Sequence, residues 1–121
     1  MIIHIIACVA DNNVIGLNGG MPWPKLRADL DRFKYRTGCS PVIMGSTTFK
    51  SIKNPLLDRL NVVLTSKFGD SFTSSDDVVT APSLPAAFSY LEANHWQYAY
   101  VIGGQSVYEQ ALYYADYMHI T

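Results

Sequence analysis

The chain has 121 residues, 49% of them hydrophobic and 16% charged, with a formal net charge of −1. That length fits one domain around one core, and that composition excludes a disordered chain. The charge argues against a general nucleic-acid binder, which needs a basic surface. The one dense basic run, Lys25, Arg27, Arg32, Lys34 and Arg36, is broken by Asp29 and Asp31, and it reads as a solvated helix face or as a rim for an anionic small molecule.

The first apolar run, Ile2–Val9, reads as a strand. It lacks a basic start and is too short to span a bilayer. The polar, glycine-bearing stretch Ala10–Gly20 follows, then Met21-Pro22-Trp23-Pro24 leads into a short helix, about Leu26–Tyr35. At ~100° per residue Leu26, Leu30 and Phe33 share one face of that helix. Asp29 falls inside this apolar stripe. A lone carboxylate there costs free energy unless it is paired or hydrogen-bonded, and desolvation raises its pKa. Two readings stand on the pattern alone: a structural hydrogen bond, which base rates favour, and chemistry.

Further apolar runs at Val42–Met44, Leu60–Thr65, Val78–Thr80, Tyr98–Ile102 and Tyr117–Thr121 are short, rich in Ile and Val, and mostly continuous. Continuous runs suit strands buried on both faces of a parallel sheet. Helical stretches lie between them. One runs from Ser46 to Ile52. One follows Ser83, with Leu84, Ala87, Phe88 and Leu91 on one face. One follows Gly103-Gly104, with Val107, Tyr108, Ala111 and Leu112 together. Ser46 and Ser83 suit N-cap positions. Gly69–Asp77 is polar and reads as a mobile surface loop. Alternating strands and helices predict an α/β fold: a doubly wound, mainly parallel sheet with flanking helices, in one domain over residues 1–121.

Ligands of such sheets bind outside the carboxyl ends of the strands. Those ends carry Ala10–Gly20, Gly45–Thr48, Ser66–Lys67 and Gly103–Ser106. Two of these glycine turns, at Gly45 and at Gly103-Gly104, open helices and point to a dinucleotide, since glycine admits close approach of a ligand to the backbone. The fingerprints G-x-G-x-x-G, P-loop, G-x-S-x-G and H-E-x-x-H are absent. Cys8 and Cys39 sit in apolar contexts and read as buried thiols, while His4, His95 and His119 are scattered, so no metal site is expected. A reducing, cytoplasmic location fits this cysteine usage.

From Ile2 to Thr121 the chain resembles the dihydrofolate reductase family. The resemblance rests on Ile6-Ala7, Val14-Ile15-Gly16, Met21-Pro22-Trp23, Asp29 with Phe33, and Val42-Ile43-Met44-Gly45. It continues through Thr48-Phe49, Ser51-Ile52, Pro55-Leu56, Arg59, Val101-Ile102-Gly103-Gly104 and Val107-Tyr108, in the family's order and spacing. It implies hydride transfer from NADPH to the pterin of 7,8-dihydrofolate, with protonation of the adjacent ring nitrogen, yielding tetrahydrofolate for one-carbon metabolism. It also implies that antifolates bind. It makes Asp29 the essential acid, holding the pterin amino group and ring N–H through charge-assisted hydrogen bonds. Thr121 would bond that acid. Met21 and Trp23 would form a lid that shuts out water.

The same resemblance places Ile6, Ala7, Phe33, Ile52 and Ile102 around the pterin and nicotinamide, with Thr48 and Tyr108 beside them. Arg59 would take the glutamate carboxylate of the substrate as a bidentate pair. The cofactor would meet Ala7, Ile15 and Gly16 on one side. Gly45, Ser46, Thr47 and Thr48 would meet it at one glycine turn, and Thr65, Ser66 and Lys67 at the next strand end. Ile102, Gly103, Gly104, Gln105, Ser106, Val107 and Tyr108 would meet it at the other glycine turn, whose Gly103-Gly104 bond the family makes cis.

Three departures stand out. Ser46 and Ser106 replace residues that are often basic in the family, which leaves Lys67 to meet the 2′-phosphate of NADPH. Pro24 and Lys25 lengthen the segment before Asp29 by one residue relative to the common bacterial pattern. Family members also continue past Thr121, so the strand Tyr117–Thr121 is expected at an open sheet edge, completed by a further segment or a second chain. The rival readings are a same-fold reductase of another heterocycle, which lacks Met-Pro-Trp and the helix acid, and a shortened fragment that binds nucleotide or antifolate without turnover.

Overall fold

The Ile- and Val-rich runs form six strands: β1 (Ile2–Ala7), β2 (Val42–Gly45), β3 (Asn61–Leu64), β4 (Val78–Ala81), β5 (Tyr98–Gly103) and β6 (Tyr117–Ile120). The computed structural model describes residues 1–7, 40–52, 59–65 and 78–120. The strands make one sheet in the order β4-β3-β2-β5-β1-β6. Every described pairing is parallel. Three helices alternate with the strands: α1 (Ser46–Ile52), α2 (Leu84–Ala93) and α3 (Gln105–Ala111). The expected parallel α/β architecture is therefore present.

Alternation along each strand sorts side chains between two faces. Ile3, Ile5, Ile43, Val62, Ala99 and Val101 join one core with Leu84, Ala87, Phe88 and Leu91 of α2 and Val107, Tyr108 and Ala111 of α3. Ile6, Val42, Met44, Val63, Tyr100 and Ile102 fall on the opposite face and are also buried. Burial on both faces is why these runs are continuously apolar rather than alternating. Removing one such side chain from water contributes about 1.5–3 kcal/mol.

Local signals set the helix ends. Ser83 is the N-cap of α2, and its side chain accepts a hydrogen bond from the Ala86 N–H at 3.3 Å. Pro85 sits in the first turn, where no intrahelical donor is lost. Past the helix, His95 adopts φ 66. The His95 N–H donates to Glu92 O and the Trp96 N–H to Leu91 O, which closes the helix in the manner glycine usually serves. Two expectations shift. Ser46 is the first residue of α1 rather than a cap outside it, because the helix follows β2 without a spacer. Leu112 is 57% exposed. It caps α3 after Ala111 and so leaves the buried stripe that holds Val107, Tyr108 and Ala111.

Strand β6 borders only β1 among the described residues, so it lies at the edge expected for it. Its start is fixed to β1 by Asp116, whose N–H donates to Ile3 O at 2.8 Å and whose carboxylate accepts the Ile3 N–H at 2.9 Å. The Tyr117 ring stacks on His4, 5.0 Å between centroids, and Tyr100 lies 5.0 Å from the same imidazole.

Candidate functional site

All six strands run the same way, so their carboxyl ends share one edge of the sheet. The chain steps from β1 outward to β2, β3 and β4, then returns to insert β5 between β2 and β1. The reversal makes the carboxyl ends of β1, β5 and β2 a topological switch point, the usual ligand position in such folds.

Gly45 and Gly103-Gly104 stand at that edge, at the ends of β2 and β5. A Cβ added to Gly45 would lie 3.2 Å from Val107 Cγ2 and 3.8 Å from the Gly104 nitrogen. One added to Gly104 would lie 3.3 Å from Thr48 Oγ1. The two glycine turns therefore lie against each other, and the Val107 and Thr48 side chains close on the places where a Cβ would stand. Gly103 adopts φ 136, a conformation closed to other residues, and the Gly103-Gly104 bond is cis. Thr48, Val107 and Tyr108 are buried around this contact. Ser46 is half-buried, while Thr47, Gln105 and Ser106 are exposed and carry no charge. Thr65 follows β3 on the same edge, its N–H donating to Ala81 O at 2.9 Å.

The register between β2 and β5 shifts between Ile43 and Met44, which pair with Val101 and Gly103, so Ile102 is the extra residue. Beyond this irregularity the Tyr108 hydroxyl lies 2.6 Å from Ile102 O and 2.9 Å from Ile6 O. One hydroxyl proton serves two carbonyl oxygens. Tyr108 thereby ties the exits of β1 and β5 together from inside α3.

Arg59 stands elsewhere. It precedes β3, at the amino end of the strands, and is only 8% exposed. Gly45 pairs with Leu64, which lies five positions along the chain from Arg59, about 16 Å at the usual strand rise per residue. Asn61, fully buried, donates from Nδ2 to Arg59 O at 3.0 Å. Sequence reasoning passed over Asn61. The available signal was an amide heading the otherwise apolar run Asn61-Val62-Val63-Leu64.

The structure thus brings together Ile6, Gly45, Thr48, Ile102, Gly103, Gly104, Val107 and Tyr108, with Ser46, Thr47, Thr65, Gln105 and Ser106 on the same edge, and sets Arg59 apart. Ala7 ends β1 and Ile52 ends α1; their side chains lie outside the described part. Ile15, Gly16, Met21, Trp23, Asp29, Phe33, Ser66, Lys67 and Thr121 lie outside the described residues, as do the helix expected near Leu26–Tyr35 and the loop Gly69–Asp77. Among the described residues no cluster of His, Cys, Asp and Glu could hold a metal, and no helix is long and apolar enough to cross a membrane.

Residues 2–121 match the family profile described as dihydrofolate reductase. The chain is 41% identical over 121 residues to dihydrofolate reductase type 3 of Salmonella typhimurium, covering all of this chain and 71% of that protein. It is 40% identical over 113 residues to dihydrofolate reductase HdrB of Haloferax volcanii, covering 89% of this chain and 58% of the relative. Against dihydrofolate reductase of Saccharomyces cerevisiae the identity is 34% over 135 residues, covering 99% and 64%.

Proposed function

The chain belongs to the dihydrofolate reductase family of oxidoreductases, and we propose that it reduces 7,8-dihydrofolate to tetrahydrofolate with NADPH. The observation that carries this reading is the contact between Gly45 and Gly103-Gly104 at the carboxyl ends of β2 and β5, where a Cβ would intrude. Flat rings and a pyrophosphate need close approach to backbone, and glycines at a topological switch point suit that need.

Bound NADPH supplies the hydride. The chain's own part is to position and to enclose. Gly45, Thr48, Gly103 and Gly104 receive the cofactor, while Ile6 and Ile102 wall the pterin and nicotinamide. Tyr108 fixes the spacing of those two strand exits through its bonds to Ile6 O and Ile102 O. Asp29 holds the pterin amino group and ring N–H, supported by Thr121. Met21 and Trp23 exclude bulk water. Arg59 takes the glutamate carboxylate. An elongated substrate fits a site whose two ends are about 16 Å apart along β3.

Lys67 is assigned to the 2′-phosphate, because Ser46, Thr47, Gln105 and Ser106 are neutral and such a phosphate needs a charge-assisted partner. The reaction takes place in the cytoplasm, where the thiols Cys8 and Cys39 stay reduced. The test is loss of reduced-nicotinamide absorbance with dihydrofolate present, for the chain and for Asp29→Asn. The amide keeps the shape and loses the charge, so turnover at neutral pH should fall severely. Near-normal turnover in Asp29→Asn would overturn the assignment. Lys67→Ala should weaken NADPH much more than NADH in a titration, and equal weakening would remove Lys67 from this role.

A further inference from the structure

We propose that Asn61 is a positioning residue for the far end of the substrate: it holds Arg59 where a carboxylate can be received. The inference rests on the reading of Arg59 as the contact for the glutamate tail. Asn61 is fully buried at the head of β3, yet it is an amide among Val62, Val63 and Leu64. A buried amide is kept where its hydrogen bonds are made. Its Nδ2 donates to Arg59 O at 3.0 Å, two residues back along the chain.

A carbonyl oxygen only accepts, so the amide nitrogen must face it. That bond fixes the backbone from which the Arg59 side chain departs. The same stretch is held from the other side, where the Val42 N–H donates to Leu60 O at 2.9 Å. Strand β2 therefore fixes Leu60 and Asn61 fixes Arg59, so the guanidinium leaves a backbone that is tied at consecutive residues. Asn61 also sits on the sheet face opposite the α2 and α3 core. Its partner in β2 is Val42, on the face that carries Met44 and Val63. A bidentate pair with a carboxylate depends on the aim of the guanidinium plane, and pre-set aim lowers the ordering cost of binding.

The experiment compares dihydrofolate with 6-methyl-7,8-dihydropterin, which lacks the benzoylglutamate tail. Asn61→Ala should raise KM for dihydrofolate about three- to tenfold, the loss expected for one hydrogen bond. It should leave kcat, and the kinetics with the tail-less pterin, unchanged. Combined with Arg59→Ala it should add nothing further to the KM for dihydrofolate, because the group it positions is gone. Equal loss on both substrates, or additive losses in the double variant, would overturn the proposal.

Arg59→Ala alone separates the two readings. If it leaves the preference for the tailed substrate unchanged, the tail assignment of Arg59 is wrong. If it abolishes that preference while Asn61→Ala does not lower it, only the role of Asn61 is wrong. Asn61→Ser, which keeps a shorter donor, is the second variant should the alanine form fail to fold, and it should show a smaller shift in the same direction. The same ratio can be read without turnover, by equilibrium titration of a diaminopteridine with and without a benzoylglutamate tail.

Discussion

At the carboxyl ends of β2 and β5 the molecule is built of glycine backbone, whereas before β3 it holds a nearly buried charged residue whose main-chain carbonyl is bonded by a buried amide. The first region is defined by what is missing, since Gly45 and Gly104 keep Cβ atoms out of a tight contact and Gly103 takes a backbone conformation that other residues rarely adopt. The second is defined by what is present, the nearly buried Arg59 and the fully buried Asn61. The difference separates two kinds of recognition. A backbone cradle selects by shape and distance. A guanidinium selects by charge and angle. The proposed ligand pair, a dinucleotide and a substrate that ends in a carboxylate, would use both.

The comparison breaks first at Gly103. With φ 136, Gly103→Ala forces a backbone that L residues avoid, at a cost on the order of 1–3 kcal/mol. We expect lowered stability in urea and loss of NADPH binding in a fluorescence titration, and retained affinity would show that the cradle tolerates side chains. Arg59→Ala probes the opposite end. It should cost about 1.5–3 kcal/mol in dihydrofolate binding, the range for a hydrogen bond to a charged group, and leave the NADPH titration unchanged. A parallel fall in NADPH affinity would mean that the two ends are not separate.

Tyr108→Phe sharpens the picture of the cradle's support. It leaves Ile6 O and Ile102 O without the hydroxyl donor, so unfolding free energy should drop by about 1–3 kcal/mol. The KM values for both ligands should rise together, because the proposed site sets both beside these strand exits. An unchanged denaturation midpoint would count against this tie. The smallest effect belongs to His95, far in role from both ends. Its φ of 66 suits glycine, so His95→Gly should raise stability by up to ~1 kcal/mol with no change in either ligand's affinity. A fall in the thermal midpoint would show that the exposed imidazole makes a compensating contact.

Much of this was legible residue by residue. Leu84, Ala87, Phe88 and Leu91 read as one buried helix face and are buried together in α2. Ser83 read as its N-cap and is one. The strands at 42, 61, 78, 98 and 117 begin within a residue of their apolar runs, and in the central β2 and β5 the continuous apolar pattern matches burial on both faces. The glycine turns were visible as well, since glycine after a strand leaves a local mark. Leu112 was misread, because helical periodicity carries no information about where the helix stops. Asn61 escaped notice for a related reason. Its importance lies in a bond to Arg59 O, and a single amide at the head of a strand looks like turn punctuation.

By itself, then, the order of residues determined the elements seen among the described residues, their parallel arrangement and the family to which the chain belongs. These depend on periodicity, on turn chemistry and on blocks such as Met21-Pro22-Trp23 and Val101-Ile102-Gly103-Gly104. The tertiary structure decided what meets what. It set β5 between β1 and β2, brought Val107 and Thr48 within contact of the space above Gly45 and Gly104, and aimed the Tyr108 hydroxyl at two carbonyls, one of them 102 residues away in sequence. It also placed Arg59 at the far end of β3 from the cradle. Such contacts depend on strand order and register, which fix distances between residues remote in the chain, and no local pattern encodes them.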